Sequence, residues 1–330
     1  MDDLGYFGPE SVTWRLHADP LLPVAGLRAL LLQALHPVAM AGVAEHSRFK
    51  TDPWGRLLRV AEYVGVTTYG TAEEAGRVAA RVRGVHRGLA ATDPATGASV
   101  PIGDPELLLW VHCCEVDSFL STLRRAGMRI SPRDADKYVA EQVRAARLVG
   151  IDPGVVDVPA GTAALAAYFD RMRPSLTATP AAYDAARFIL APPMPWWVRI
   201  GTPALASWAG VATLAFCTLP RWARSMYSHL PALGTTDLGA TASLRALRTT
   251  LLAVPASLRE GPHVKAGRAR VARIPVRRLD AYGVADYQGY RGAPATGGPV
   301  VRGPVVGGPG VAGGPGVAGD SRVVGGSGVA

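Results

Sequence analysis

Apolar residues recur at the spacing of an α-helix along most of the chain, and capping signals mark several helix ends. Asp104-Pro105 places a capping acid before a proline at the first helical position, and the apolar run that follows continues to Gly127. Ser131-Pro132 begins a second segment of this kind, which Gly150 closes. Alternating strand patterns are scarce. Other helices are predicted to begin at Asp52-Pro53 and Thr71 and to lie near residues 23–46, 161–173, 179–190, 202–218 and 239–253.

These segments predict an all-α fold, a single bundle of roughly eight to ten helices. From about Arg291 the chain turns into near-repeats of Gly, Pro, Val and Ala, which cannot bury enough apolar surface to fold. A literal GxGxxG match at 308–313 lacks the strand and the helix that a dinucleotide site needs. The chain is therefore divided into a helical catalytic domain (1–260), a basic connector (261–290) and a disordered tail (291–330).

Two stretches raise the question of a membrane. Residues 201–219 carry no charge and barely reach spanning length, but their small residues and Gly210 favour a buried core helix over a membrane span. The basic residues from Lys265 to Arg278 are interpreted as a solvated connector, with contact to anionic lipid as the alternative. Peripheral membrane contact therefore stays open as a property of this chain.

Composition narrows the function classes. The formal net charge is +9, but the basic residues are not clustered as a nucleic-acid surface requires, and no nucleic-acid partner is expected. The 3 cysteines form neither a disulfide framework nor a CxxC motif, which suits a reducing compartment. The first residues lack the pattern of a secretory signal, so a cytoplasmic location is expected. The sequence also lacks the motifs of serine hydrolases, HExxH zinc enzymes and P-loop proteins.

The candidate chemistry lies in the first half of the chain. His86 borders an apolar stripe that includes Val82 and Val85, and an inward-facing imidazole there could bind a metal. Arg56, Arg59, Val60 and Tyr63 are expected to share one helix face, where inward guanidiniums would need anionic partners such as carboxylates. A salt bridge to a nearby glutamate is the structural alternative. His112 and Glu115, one turn apart, do not complete the set of ligands of a di-iron site.

An ordered set of short motifs resembles the catalytic domain shared by latex clearing proteins (rubber oxygenases) and MpaB-type oxygenases. The resemblance covers roughly residues 5–255, and Leu219 to Arg224 resembles the distal part of that family. The motifs are Leu35-His36-Pro37, Gly42 to Phe49, Asp52 to Arg59, Thr68-Tyr69-Gly70, Val85-His86 and Leu109 to His112.

The resemblance implies a b-type haem held in the helical bundle and the use of dioxygen to cleave an olefinic double bond. It implies His86 as the iron ligand, with His112 as its main rival, and Arg56 as the haem-pocket arginine. Arg59 would occupy the position of a distal lysine. Val60 stands where the family usually has Thr, and Glu45 is only a candidate for the catalytic base.

The expected substrate is a small hydrophobic molecule, an isoprenoid or another unsaturated lipid, in a cavity walled by the helices at 105–123 and 202–218. An unidentified reductant would complete the reaction. Two other classes stay open from the sequence. One is a non-catalytic binding protein of the same fold that has lost haem chemistry, and the other is a membrane-associated interaction protein.

Overall fold

Helices dominate the residues that the computed structural model describes, which are 3–47, 51–194, 196, 202, 204–230 and 237–274. Within them one short antiparallel hairpin, β1 (Ala90–Thr92) and β2 (Ser99–Pro101), interrupts the helical pattern. A 3₁₀ turn lies at Arg173–Ser175. The helices are α1 (Val12–His17), α2 (Leu22–Gln33), α3 (Pro37–His46), α4 (Pro53–Tyr69), α5 (Ala72–Arg87), α6 (Pro105–Arg125), α7 (Pro132–Val149), α8 (Thr162–Met172), α9 (Pro180–Leu190), α10 (Ala204–Cys217), α11 (Arg221–Met226), α12 (Asp237–Ala253), α13 (Ala256–Arg259) and α14 (Pro262–Ala272).

The predicted all-α class is confirmed, although the described residues hold more helices than the sequence pattern suggested. The shortest three helices, α1, α11 and α13, contain 4 to 6 residues, too few to display a periodic apolar pattern. The Gly/Pro-rich tail predicted at 291–330 lies outside the described residues.

The capping residues identified in the sequence begin the helices as predicted. The Asp104 carboxylate accepts hydrogen bonds from the backbone N–H groups of Glu106, at 2.9 Å, and Leu107, at 3.3 Å. Thr71 and Glu74 form a reciprocal capping box at the start of α5. Gly150 ends α7 in the left-handed conformation (φ 100°), which glycine adopts at little cost. These caps fix the ends of the helices that build the interior.

A sharp bend divides the predicted helical segment 23–46 into α2 and α3, whose axes meet at 107°. The break lies at His36-Pro37, because proline cannot continue the hydrogen-bond ladder of the helix before it. His36 caps the new helix, since its Nδ1 accepts a hydrogen bond from Ala39 N at 3.3 Å. Among the described residues no single helix is long and apolar enough to cross a membrane, and only the bent α2–α3 pair passes that test jointly.

The core is organised around α6, which lies along α2. Trp110 of α6 is fully buried, and its indole N–H donates to the backbone oxygen of Gln33 at 3.0 Å. The guanidinium of Arg28, only 3% exposed, pairs with Asp117 of α6 at 2.8 Å. Helix α10 packs against the other side of α2, and its C-terminal half, including Phe216, is buried as expected for a core helix. The long helix α6 is therefore held at the centre of the bundle.

The basic segment after residue 260 is partly a packed helix. Val264 and Val271 of α14 are buried against Trp14 and Tyr69, and Gly267 lies so close to the Trp14 indole that a Cβ there would be 3.0 Å from it. The interpretation as a solvated connector therefore does not hold for residues 262–274. That interpretation rested on the charged residues from Lys265 to Arg278. The apolar residues between them form the inner face of α14. Residues 275–290 lie outside the described residues.

Candidate functional site

His86 lies on the inner face of α5. The buried residues Ala75 and Ala79 define that face, and His86 follows two turns after Ala79 on the same side. Val85, which the sequence assigned to the buried stripe, is 56% exposed. The inward stripe is therefore rotated by one residue from the predicted one, and His86 lies within it rather than at its edge.

The His86 imidazole has no protein partner within the described residues. Its Nδ1 is buried without a hydrogen bond, and burial lowers the pKa of the ring. Arg83, one turn earlier on the same face, is instead occupied, since it donates to the backbone oxygen of Leu148 at 2.5 Å. A neutral, buried and unpartnered imidazole is the form that binds a metal ion.

Two polar side chains of α6, His112 and Glu115, are enclosed by the protein one turn apart. Burial lowers the pKa of His112 to about 4 and raises the pKa of Glu115 to about 7. Both residues nevertheless keep some accessible surface. No hydrogen bond or ion pair of either side chain occurs within the described ranges.

Tyr63 of α4 belongs to the same interior region. Its hydroxyl is buried and lacks a hydrogen-bond partner within the part of the chain that the structure describes. Burial raises the pKa of Tyr63, and the charge of Glu115 raises it further while Arg83 opposes both. The Tyr63 hydroxyl of α4 is therefore sensitive to charges carried by α5 and α6. Unpartnered buried polar groups are costly, and several together indicate a place where a ligand supplies the partners.

Arg56 lies in an apolar pocket. The pocket encloses about 90 Å³ between α2, α3, α4, α6, α9 and α10. Burial lowers the pKa of Arg56, and the charge of Arg59 lowers it further. Within the described residues the Arg56 guanidinium has no carboxylate partner, so the predicted structural alternative, a salt bridge to a nearby glutamate, is not found. The lining includes Leu30, Met40, Val43, Trp54, Leu57, Val111, Phe188, Ile189 and Trp208.

Arg59 and Val60 do not share the inward position of Arg56. The Arg59 side chain is 64% exposed and pairs with Asp52 at 3.2 Å, and Val60 is 41% exposed. The packed face of α4 is centred on Leu57 and Val64, and Arg59 lies about 200° around the helix from Leu57. The expectation that Arg59 and Val60 face inward with Arg56 was therefore wrong.

Glu45, the candidate base, is engaged at the surface. Its carboxylate accepts a hydrogen bond from Thr92 N at 3.1 Å and lies 3.7 Å from His46 Nε2. His46 in turn bonds to the backbone oxygen of Ala90 at 2.7 Å. Both residues therefore fasten the end of α3 to β1, and the structure does not bring Glu45 together with His86.

Other histidine rings are occupied. In His17 both ring nitrogens are bonded, to the hydroxyls of Thr68 at 2.8 Å and Tyr138 at 3.2 Å. His36 caps α3, and His263 pairs with Glu62 at 2.7 Å. His229 is exposed. This leaves His86 and His112 as the inward rings without a protein partner among the described residues, which also contain no cluster of three or more His, Cys, Asp or Glu suited to a metal ion.

Sequence reasoning named His86, His112 and Arg56 but gave no role to Glu115 or to the Tyr63 hydroxyl. Glu115 was considered only as part of a di-iron set whose other ligands are absent from the sequence and as a hydrogen-bond partner of His112, although a carboxylate in an apolar helix was itself a signal of an unusual environment. The predicted pocket walls were partly correct. Val111 and Trp208 come from the two expected helices, while α3 and α9 supply residues that no sequence pattern indicated.

No curated protein and no solved structure matches the chain. The model of one protein family, described as ER-bound oxygenase mpaB/B'/Rubber oxygenase, catalytic domain, matches residues 14–255. This range runs from within α1 to beyond the end of α12, and it contains the interior groups of α4, α5 and α6. The chain belongs to the family of MpaB and rubber oxygenase catalytic domains.

Proposed function

We propose that the protein is a haem b-dependent oxygenase that uses dioxygen on a hydrophobic, unsaturated substrate of the isoprenoid or lipid class. Membership of an oxygenase family supports the reaction class. The observation that carries the haem assignment is the unpartnered His86 ring inside the bundle. A single axial histidine is enough to hold a b-type haem, so the site needs no cluster of metal-binding side chains.

The residues present fit such a group. His86 is the proposed iron ligand, because burial keeps its ring neutral and no protein group within the described residues competes for its nitrogens. Arg56 is the proposed partner of a haem propionate, since a guanidinium enclosed among apolar side chains requires an anion and a planar fork binds carboxylates well. The Tyr63 hydroxyl would donate a hydrogen bond to an acceptor on the bound group.

A haem iron, when bound, supplies the binding and activation of dioxygen that the side chains cannot provide. The protein contributes placement and proton control. Glu115, with a pKa of about 7, can hold or release a proton at its carboxylate near neutral pH. His112 stays neutral above a pH of about 4 and can accept or donate a hydrogen bond beside it. Because Glu45 is tied to β1, Glu115 is the better candidate for a base in this chain.

The apolar pocket beside Arg56 is the proposed binding site for part of the substrate. Its lining is almost wholly apolar, which suits an alkene that offers no charge for recognition. A volume of about 90 Å³ holds only part of a lipid-sized molecule. We therefore assign to it the unsaturated segment of a longer chain. A reductant of unspecified type is the further partner proposed for the reaction.

A second candidate function is a hydrophobic-ligand-binding protein of the same fold without oxygenase chemistry. The observation in its favour is that Arg59 and Val60, aligned with a basic residue and a threonine in the haem surroundings of the family, are exposed on the outer side of α4. In that case the apolar pocket and Arg56 would bind a hydrophobic carboxylate directly.

The absorption spectrum of the freshly purified full chain, with the haem-to-protein ratio, tests the proposal. We expect a Soret band that shifts on reduction, and oxygen consumption when a soluble polyunsaturated isoprenoid is added to the reduced protein. Haem-free protein that fails to bind added haemin, yet retains a fatty acid, would support the binding protein instead.

A further inference from the structure

A second pocket, distinct from the interior site, collects four arginines around one carboxylate. It measures about 440 Å³ and lies between α2, the C-terminal half of α6, the turn before α11 and the start of α12. We name it the arginine pocket. Its charged lining residues are Arg28, Arg125, Arg221, Arg224 and Asp237.

The charges in the arginine pocket do not balance. Arg28 is matched by Asp117 at 2.8 Å. The other three arginines share Asp237, at 3.5 Å from Arg125, 2.9 Å from Arg221 and 2.6 Å from Arg224. The ion pairs of the described residues give these three guanidiniums no other carboxylate, so two positive charges are left without a counter-charge. Uncompensated charge in a partly buried place attracts an anion.

A buried hydroxyl in the same lining is also without a partner. Thr122 is 1% exposed, and its Oγ1 makes no hydrogen bond within the described part of the chain. A helical threonine usually satisfies its hydroxyl on a carbonyl of the preceding turn. The neighbouring Ser121 hydroxyl, which also lines the pocket, is buried and unpartnered too. Both residues line the arginine pocket, and rotation of either side chain would present its hydroxyl to an oxygen-rich ligand there.

Three of the four arginines are held in place before any ligand arrives. Arg28 also donates to Ser118 Oγ at 2.6 Å and to the backbone oxygen of Thr218 at 3.1 Å. Arg125 donates to Thr241 Oγ1 at 2.7 Å, and Arg224 donates to the backbone oxygen of Cys217 at 3.2 Å. A fixed array of guanidiniums loses little side-chain entropy when an anion binds.

We propose that the arginine pocket binds a phosphate group. Two unmatched positive charges correspond to the charge of a phosphate monoester, about −1.5 to −2 near neutral pH, better than to the single charge of a carboxylate. Guanidinium forks and hydroxyl donors together satisfy a tetrahedral anion with several acceptor oxygens. The phosphate is carried either by a free phosphorylated molecule or by a phospholipid head group.

Calorimetric titration of the full chain with inorganic phosphate and pyrophosphate tests the first source. Sedimentation with phosphatidylcholine vesicles, with and without phosphatidic acid, tests the second. The variants are Arg221→Ala, whose parent side chain is 85% exposed, and Thr122→Val, which keeps the shape and removes the hydroxyl. Arg15→Ala is the matched control, because Arg15 also forms one surface ion pair, with Asp134, and lies outside the arginine pocket.

We expect Arg221→Ala to weaken phosphate binding about tenfold, as the loss of one charge-assisted hydrogen bond does, and Arg15→Ala to leave it unchanged. Thr122→Val should weaken binding without lowering the melting temperature, because its hydroxyl has no protein bond to lose. Vesicle binding that needs phosphatidic acid and Arg221, without binding of the free anions, would assign the phosphate to a lipid. Failure of both ligands to bind, or equal losses in the Arg221 and Arg15 variants, would overturn the proposal.

Discussion

Arg56 and Arg59 lie one turn apart on α4 in opposite environments. Arg59 pairs with Asp52 at the surface, whereas Arg56 is enclosed among apolar side chains and has no carboxylate partner within the described residues. The charge of Arg59 nevertheless acts on Arg56, since it adds to the lowering of the Arg56 pKa that burial causes. Arg56 is thus a cation that the described residues enclose without neutralising, and we propose that a ligand supplies its counter-charge.

Replacing Arg56 should loosen the bound haem. We expect Arg56→Ala to lose about tenfold in haem affinity, because one charge-assisted contact to a propionate disappears. The measurement is the haem-to-protein ratio after gel filtration. Arg87→Ala, on the exposed side of α5, is the control and should retain haem like the parent. Equal ratios in the two variants would mean that Arg56 does not face the haem.

Replacing His86 should give a folded but largely colourless protein. We expect His86→Ala to lose the Soret absorbance, since it removes the proposed axial ligand, while His112→Ala keeps most of it. Circular dichroism serves as the folding control. His46→Ala, which removes a ring bonded to the backbone oxygen of Ala90 away from the proposed haem site, is the matched histidine variant. Full haem content in the His86 variant with loss in the His112 variant would reverse the two assignments.

Glu115 should make the haem-free protein less stable as the pH rises. Its folded pKa of about 7 exceeds the ordinary value of 4.5. The folded state therefore keeps a proton that the unfolded chain has released, and stability falls as the pH rises from about 4.5 to about 7. Glu115→Gln removes this dependence. Relative to the parent, the variant should gain up to about 3 kcal/mol in unfolding free energy between pH 4.5 and pH 8.

Denaturant unfolding of parent and variant at both pH values checks this. The amide of the glutamine has its own burial cost, but that cost is the same at both pH values and cancels in the comparison. His112, which becomes protonated only near pH 4, is present in both proteins and cancels as well. A pH-independent difference between the two proteins would show that Glu115 is solvated.

Truncation at two points should separate the tail from the last packed helix. Removing residues 291–330 should leave the melting temperature unchanged, because the Gly/Pro-rich composition cannot form a core. Removing residues 262–330 should lower the melting temperature by several degrees, because Val264 and Val271 no longer cover Trp14 and Tyr69. Differential scanning calorimetry of the three chains measures both effects. A large drop with the shorter truncation would indicate that the tail is docked.

Local signals predicted most of the fold. Caps such as Asp104 and Thr71 act within one turn, so the sequence alone locates the helices that they begin. Pro37 was expected to disturb the helix, but the apolar pattern continues through it, so residues 23–46 were predicted as one helical stretch without the bend. The packing of α14 was missed because it depends on Trp14, about 250 residues earlier in the chain, and no local rule reports such a contact.

The site was predictable by residue type more than by orientation. The motifs around Arg56 and His86 come from the family pattern, and both side chains do face inward. Arg59 was predicted to face inward because residue spacing defines only a wide face of α4. The packing of Leu57 and Val64 decides which side of that face is buried, and Arg59 lies outside it. The raised pKa of Glu115 could not be predicted from the sequence either, since it comes from burial of the carboxylate by the whole bundle.

The contact between Trp14 and α14 also bears on how the chain is made. Trp14 belongs to the first helix, and Gly267 and Val271, which cover it, belong to the last described one. Synthesis of the intervening roughly 250 residues at about 5–20 residues per second takes on the order of 10 to 50 seconds. Throughout that time the indole and its apolar surroundings are open to other nascent chains and to chaperones, so Trp14 reaches its native environment only after α14 has been synthesised.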